Sequence, residues 1–321
     1  LKTCAKKKDL HEGTRLHALI REKWSLEKNS YLATTLISMY AVCGLIGKAQ
    51  ELHDELPIKS VDSWNALISG YSRQGKGRSA LDCFENMENN GFSPDEVTFI
   101  CVLKACGSIR SIIEGKKIHN RIVSRGLLES NVKLGTVLVD MYVKCGLLIK
   151  AREVHDQLCV RDSVSWSVLI TGYAHLGQGH EALNYFQRMQ REDGLSPDGV
   201  SLLCILNACR HSGLSDEAEM YFGCMKSKYG IAPNLEHHTC MVVVFGCAGQ
   251  FEKVMSVIKM MPTQDYPPVW IALLSACRRW GNVKLGRLAF DHLMQLDDRC
   301  AVAYTLMDNI YGASGMEEDV A

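Results

Sequence analysis

The sequence predicts an all-α protein: a right-handed superhelical solenoid of stacked helix-turn-helix hairpins. Three observations predict it. The stretch Ser63-Trp64-Asn65-Ala66-Leu67-Ile68-Ser69-Gly70-Tyr71 returns 102 residues later as Ser165-Trp166-Ser167-Val168-Leu169-Ile170-Thr171-Gly172-Tyr173. Other segments recur at nearly the same offset. Leu1-Lys2-Thr3-Cys4 matches Leu103-Lys104-Ala105-Cys106 and Leu206-Asn207-Ala208-Cys209, and Ile37–Gly44 matches Val139–Gly146. Self-similarity at a fixed spacing marks an array, whose units cannot bury an apolar face alone and must stack. Within a unit the period is helical. Trp64, Leu67, Ile68 and Tyr71 fall at i, i+3, i+4 and i+7, and Ala80, Leu81, Phe84 and Met87 form a second stripe. Strand signals are nearly absent. The β-branched run Val242-Val243-Val244-Phe245 occupies the register of Val139-Asp140-Met141-Tyr142, so the repeat overrides its local propensity.

The units follow in order. Residues 1–29 are the remnant of one whose start is missing. Then come 30–60, 61–95, 96–131, 132–162, 163–198, 199–234 and 235–266, of 31, 35, 36, 31, 36, 36 and 32 residues. In 61–95, Gly75 and Gly77 separate the two helices, and Gly91 with Ser93-Pro94-Asp95 supplies the closing turn. Two more divergent units, 267–300 and 301–321, complete the chain, and the last is expected to be cut short. Leu1 falls inside a repeat, so the chain reads as a fragment, with any targeting segment outside it.

Lysine plus arginine and aspartate plus glutamate number 36 each. That balance is unlike a protein held to nucleic acid by phosphate contacts alone. Either neutral hydrogen bonds carry recognition, or a basic strip lines the concave face unseen in the total. No run of 18 apolar residues suggests a transmembrane helix. Fourteen cysteines include no C-x-x-C pair, so the strong zinc patterns fail. Cys4, Cys106, Cys209 and Cys277 share one repeat slot and Cys43 and Cys145 another, as small packing residues would. Adjacent His237 and His238 project about 100° apart on a helix and read as surface and packing residues. No metal and no cofactor are expected.

At these motifs the chain resembles a plant pentatricopeptide repeat (PPR) protein of the subclass that alternates standard, long and short repeats. Ser63–Tyr71 resembles the start of a standard repeat. Leu103-Lys104-Ala105-Cys106 followed by Gly115-Lys116-Lys117-Ile118-His119 resembles a long one, and Asp140–Gly146 a short one. Tyr229–His238 resembles the last long/short junction, and Val269–Arg278 the opening of an E-type extension, giving a PPR array at 1–266 and an extension at 267–321. The resemblance implies single-stranded organellar RNA as partner, in mitochondrion or chloroplast, with one base addressed per repeat. It implies a role in selecting sites for C-to-U editing, the N-terminal repeats lying toward the RNA 5′ end. An editing-complex protein would dock on 267–321. No membrane and no small-molecule substrate are implied.

Carried over residue by residue, the resemblance assigns base readout to the fifth and last residue of each unit. Asn65 with Asp95 resembles the uracil-favouring pair, Thr136 with Asp162 the guanine pair, and Ser167 with Asp198 a weaker guanine-like pair. Thr34 pairs with Ser60, where aspartate or asparagine is usual. The long units carry Ile100 with Asn131 and Leu203 with Asn234. Their aliphatic members cannot hydrogen-bond a base edge, so these units space or stack. Thr239 stands fifth in 235–266, which ends in Tyr266 rather than aspartate. Val97, Val164 and Val200, second in their units, read as wedges between bases or as core contacts. Asp95 and Asp198 also fit a plain helix cap.

The zinc deaminases pair H-x-E with P-C-x-x-C. Neither half is expected here, since His292-Leu293-Met294 and His119-Asn120-Arg121 lack the Glu, and the G-x-S-x-G, P-loop and G-x-G-x-x-G signatures are missing as well. The chain is therefore expected to bind rather than catalyse, with a deaminase following it or recruited to it. Two other readings stand beside editing. One is a tetratricopeptide-like protein scaffold, although those units keep about 34 residues and a W-x₂-L-G-x₂-Y pattern missing here. The other is an organellar RNA stability or processing factor.

Overall fold

The computed structural model describes residues 1–23, 30–129 and 131–313, and the end of the expected extension, 314–321, lies outside them. The described residues are helical, with no strand among them. They divide into two compact units between Arg161 and Asp162.

The first unit holds α1 (Lys2–Lys7), α2 (Leu10–Lys23), α3 (Ser30–Val42), α4 (Ile46–Glu55), α5 (Val61–Arg73), α6 (Gly77–Asn89), α7 (Glu96–Ser108), α8 (Ile112–Ser124), α9 (Val132–Lys144) and α10 (Leu148–Gln157). The second holds α11 (Ser163–His175), α12 (Gly179–Glu192), α13 (Gly199–Ser212), α14 (Ser215–Tyr229), α15 (Leu235–Cys247), α16 (Phe251–Lys259), α17 (Pro267–Trp280), α18 (Val283–Leu296) and α19 (Ala301–Ala313). The helices pair as antiparallel hairpins of the helical-repeat solenoid kind. The run Val242–Phe245 lies inside α15, as its register requires.

Within each unit the first helix of one hairpin packs on the first helix of the next. In the first unit the row is α1, α3, α5, α7, α9; in the second it is α11, α13, α15, α17, α19. The second helix of a hairpin also packs on the following first helix, as α6 does on α7 and α12 on α13. First helices are thus covered on several sides. Leu36, Ile37, Leu67, Ile68, Phe99, Leu103, Trp166 and Leu206 are completely buried.

Two features of the recurring motifs set this packing. Gly70 lies where α5 meets the preceding hairpin. A Cβ there would stand 2.7 Å from Ala41 Cβ and Ile46 Cδ1. Gly44 and Gly146 close the turns α3–α4 and α9–α10 at φ of 93° and 76°, a region L-residues seldom adopt. The shared cysteine slot is core, with Cys4, Cys106, Cys209 and Cys277 all buried. Burial pushes the thiols of Cys106, Cys209 and Cys277 up to about 12, so they remain protonated packing groups. Cys43 and Cys145 are half-buried. His237 and His238 are both buried, which corrects the surface part of their expected role.

Candidate nucleic-acid interface

Each first helix needs an acceptor for the free N–H groups of its opening turn. The last residue of the preceding repeat supplies it. Ser60, Asp95, Asn131, Asp162, Asp198 and Asn234 are the N-caps of α5, α7, α9, α11, α13 and α15. Their side chains accept from the backbone N–H three residues on: Ser63 (3.2 Å), Thr98 (2.8 Å), Leu134 (2.9 Å), Ser165 (2.8 Å), Ser201 (2.7 Å) and His237 (3.1 Å). Capping boxes complete the start of α5, α7, α13 and α15. Tyr266 makes no side-chain cap, and α17 opens instead on Pro267 and Pro268, whose missing N–H groups need none.

Capping does not exhaust Asp95. The Asn65 amide nitrogen lies 3.0 Å from Asp95 Oδ1 and 3.2 Å from Oδ2. Thr98 Oγ1 lies 2.6 Å from Asn65 Oδ1 and 2.8 Å from Asp95 Oδ1, sharing its one hydroxyl hydrogen between the two acceptors. Burial pushes the Asp95 carboxyl up, but the Thr98 N–H and hydroxyl and the Asn65 amide outweigh it. Its pKa therefore lies below the ordinary carboxylate value, and Asp95 is an anionic acceptor at neutral pH. The two Asn65 N–H bonds diverge too widely to reach the two carboxylate oxygens separately. One N–H serves Asp95, and the other makes no hydrogen bond among the described residues.

Asn65 lies in a cleft of about 520 Å³ over the first helices of successive hairpins. Lys2 comes from α1, Tyr31, Thr34 and Ser38 from α3, Asp62, Asn65 and Ser69 from α5, and Val97 from α7. Hydroxyls and amides dominate its polar lining. Lys2 is its one cation and Asp62 its one anion, so no basic strip lines this stretch. Val97 is 52% exposed; Val164 and Val200 are likewise exposed, which removes the core-contact alternative for all three.

The other expected pairs differ. Thr34 and Ser60 share no hydrogen bond; Thr34 is half-buried in the cleft, and Ser60 bonds within its capping box. No hydrogen bond joins Ser167 to Asp198 among the described residues; Asp198 bonds within its capping box, and the Cys204 thiol accepts from Thr171 at 3.2 Å. Thr136 and Thr239 donate back along their helices, to the Val132 carbonyl at 3.0 Å and the Leu235 carbonyl at 2.8 Å. Their oxygen lone pairs stay available as acceptors. Thr136 and Asp162, though of one repeat, fall on either side of the division between the two compact units. Asn131 donates to Glu96 as well as capping α9.

Sequence reasoning missed Thr98, which fixes the Asn65 amide. The signal was present as cap-x-x-hydroxyl spacing in Ser60/Ser63, Asp95/Thr98, Asp162/Ser165 and Asp198/Ser201. It also passed over His53-Asp54-Glu55, which matches H-x-E in spelling. His53 is completely buried on α4, T-shaped against Trp64 with ring centroids 4.2 Å apart. No group of three or more metal-ligating side chains forms among the described residues.

Comparison with known proteins places this geometry. Sequence signatures of the PPR repeat family match residues 59–108, and those of the PPR repeat match 31–61, 136–162, 164–193, 200–229 and 236–265. The chain is 36% identical, over 314 residues and 97% of its own length, to the Arabidopsis thaliana pentatricopeptide repeat-containing protein CRR2, chloroplastic. It is 35% identical, over 93% of its length, to the putative pentatricopeptide repeat-containing protein At3g11460, mitochondrial, of the same plant. It spans 47% and 48% of those two relatives. The crystal structure of maize PPR10 in complex with an 18-nt psaJ RNA element superimposes with a TM-score of 0.75 at 20% identity, covering 96% of this chain and 46% of that one. The chain belongs to the pentatricopeptide repeat family.

Proposed function

We propose that the chain binds single-stranded RNA in a sequence-specific manner and selects sites for C-to-U editing in an organelle. The carrying observation is the Asn65–Asp95–Thr98 arrangement. An amide is held by an anionic acceptor on one side and a hydroxyl donor on the other, with one N–H unspent beside an exposed valine. A uracil carbonyl is a fitting acceptor for that N–H. Val97, in the opening turn of the next helix, offers an apolar surface on which a base can rest.

Read one base per repeat, units 61–95 to 235–266 address six successive nucleotides from 5′ to 3′. The order is U, an unassigned base, G, a G-like purine, an unassigned base, and the base facing Thr239. By the family pattern the last of these lies four nucleotides upstream of the edited C. The organellar setting draws support from the chloroplastic and mitochondrial names of the relatives. RNA as ligand draws support from the PPR10 complex. Catalysis then belongs to a deaminase that follows or joins the array, through 267–321.

The test is a gel-shift series with single-stranded RNAs varied only at the base facing 61–95. Wild type is expected to rank U first, and Asn65→Thr to move the preference toward G. An unchanged ranking of the four bases in the variant would remove the readout role of Asn65.

A further inference from the structure

The second helices of two neighbouring hairpins, α12 and α14, enclose a cleft of about 380 Å³, away from the bases' expected path along the first helices. Tyr221, 7% exposed, forms part of its wall beside Met220, Cys224 and Tyr229. Arg191 and Lys228 line it from opposite helices. Neither takes part in an ion pair among the described residues, and no carboxylate lines the cleft. The Lys228 ammonium sits 5.1 Å from the Tyr229 ring centroid. On α12 the neighbouring Arg188 is matched by Glu192. The cleft thus sets two cations, and no carboxylate, beside tyrosine, methionine and the amides of Gln187 and Gln190.

We infer that this cleft docks an acidic peptide segment of a protein partner, one carrying an aromatic anchor between carboxylates. Tyrosine, methionine and arginine are the residues enriched where proteins meet. The carboxylates would pair with Arg191 and Lys228, and the anchor would rest on Tyr229, Met220 and Tyr221. RNA fits less well. A strand needs cations repeated along its path, and this cleft offers only two. This site is separate from the base-reading cleft and stands whether or not that one reads bases.

The test uses the whole chain and a short fluorescein-labelled peptide of Asp and Glu around one Phe. Saturable anisotropy is expected, weakened about tenfold by Arg191→Glu with Lys228→Glu and little changed by Arg278→Glu with Arg279→Glu. Circular dichroism checks that each variant is folded. The bound peptide is also expected to shield Cys224, but not the exposed Cys247, from iodoacetamide. The inference falls if binding is not saturable, if both charge reversals weaken it equally, if Cys224 is not shielded, or if polyuridylate displaces the peptide.

Discussion

Asn65 and Asp95 stand 30 residues apart and meet at 3.0 Å, while the same carboxylate holds the first turn of α7 through Thr98. The end of one repeat thus aims a side chain of that repeat and starts the next. The two roles separate by substitution. Asp95→Asn keeps an acceptor suited to an N-cap but loses the charge that orients the amide. Thermal unfolding is expected to change little, while discrimination for U at that position falls. Asp95→Ala should lose both, with about 1 kcal/mol of stability lost with the cap. Equal thermal losses for the two variants would reduce Asp95 to a cap.

Thr136 offers a second readout test. Its hydroxyl hydrogen is engaged by the Val132 carbonyl, which leaves an acceptor suited to the N–H groups of a guanine edge. Thr136→Asn is expected to move the preference at that base from G toward a pyrimidine. A wrong base costs about 1–3 kcal/mol where a side chain reads it directly, a scale taken from DNA. Gel shifts with four RNAs differing at that base check it. The same ranking for wild type and variant would refute the assignment.

Val97 separates wedge from scaffold. Its side chain is 52% exposed, so Val97→Ala should leave the unfolding temperature nearly unchanged. If a base rests on it, removing apolar surface should weaken RNA binding by about 1 kcal/mol, roughly fivefold in Kd. Equilibrium titration with one target RNA measures this. Unchanged affinity would leave Val97 as an ordinary exposed residue.

The repeat register made the hairpins legible, because a shared apolar pattern must be buried the same way in each copy. It was enough to keep Val242–Phe245 helical against β-branched propensity. The N-caps were legible as well, but capping and base readout appeared as rival accounts of Asp95. Capping and the hold on the Asn65 amide coexist because a carboxylate has two oxygens and several lone pairs, a sharing visible only in three dimensions. Sequence position put Ser167 with Asp198 and Thr34 with Ser60 by analogy. It held no information on where the caps Asp198 and Ser60 direct their hydrogen bonds, which stay within their capping boxes. The exposure of Val97, Val164 and Val200 was likewise hidden, since second positions of helices occur on buried and open faces alike.

Gly70 tests the packing itself. A methyl at this position would meet Ala41 Cβ and Ile46 Cδ1 at 2.7 Å, well inside contact distance. Alanine would ordinarily stabilise a helix interior by roughly 1 kcal/mol relative to glycine. Here the crowding should win, and Gly70→Ala is expected to lower stability by about 1–3 kcal/mol. Urea unfolding followed by circular dichroism measures the sign. A stabilised variant would mean that the neighbouring hairpin can retreat at little cost.

His53 gives the fold a pH dependence of determined sign. Its ring is completely buried, packs on Trp64, and has no hydrogen-bond partner on either nitrogen. Burial, and then Lys59, holds its pKa below the ordinary histidine value; Asp54, 3.7 Å from Nδ1, opposes the shift. The unfolded chain titrates near about 6.5 and takes up a proton that the folded chain resists. This contribution to stability is therefore complete above about pH 6.5 and is lost as pH falls toward the lower folded value. His17, His119, His211 and His237 are shifted in the same direction, so their contributions add. His53→Phe keeps an aromatic ring against Trp64 but cannot bind a proton. Thermal midpoints measured from about pH 7.5 down to about pH 5 should fall for both proteins, and less steeply for the variant. Parallel lines would assign the whole slope to the other histidines, and a steeper line for the variant would reverse the sign argued for His53.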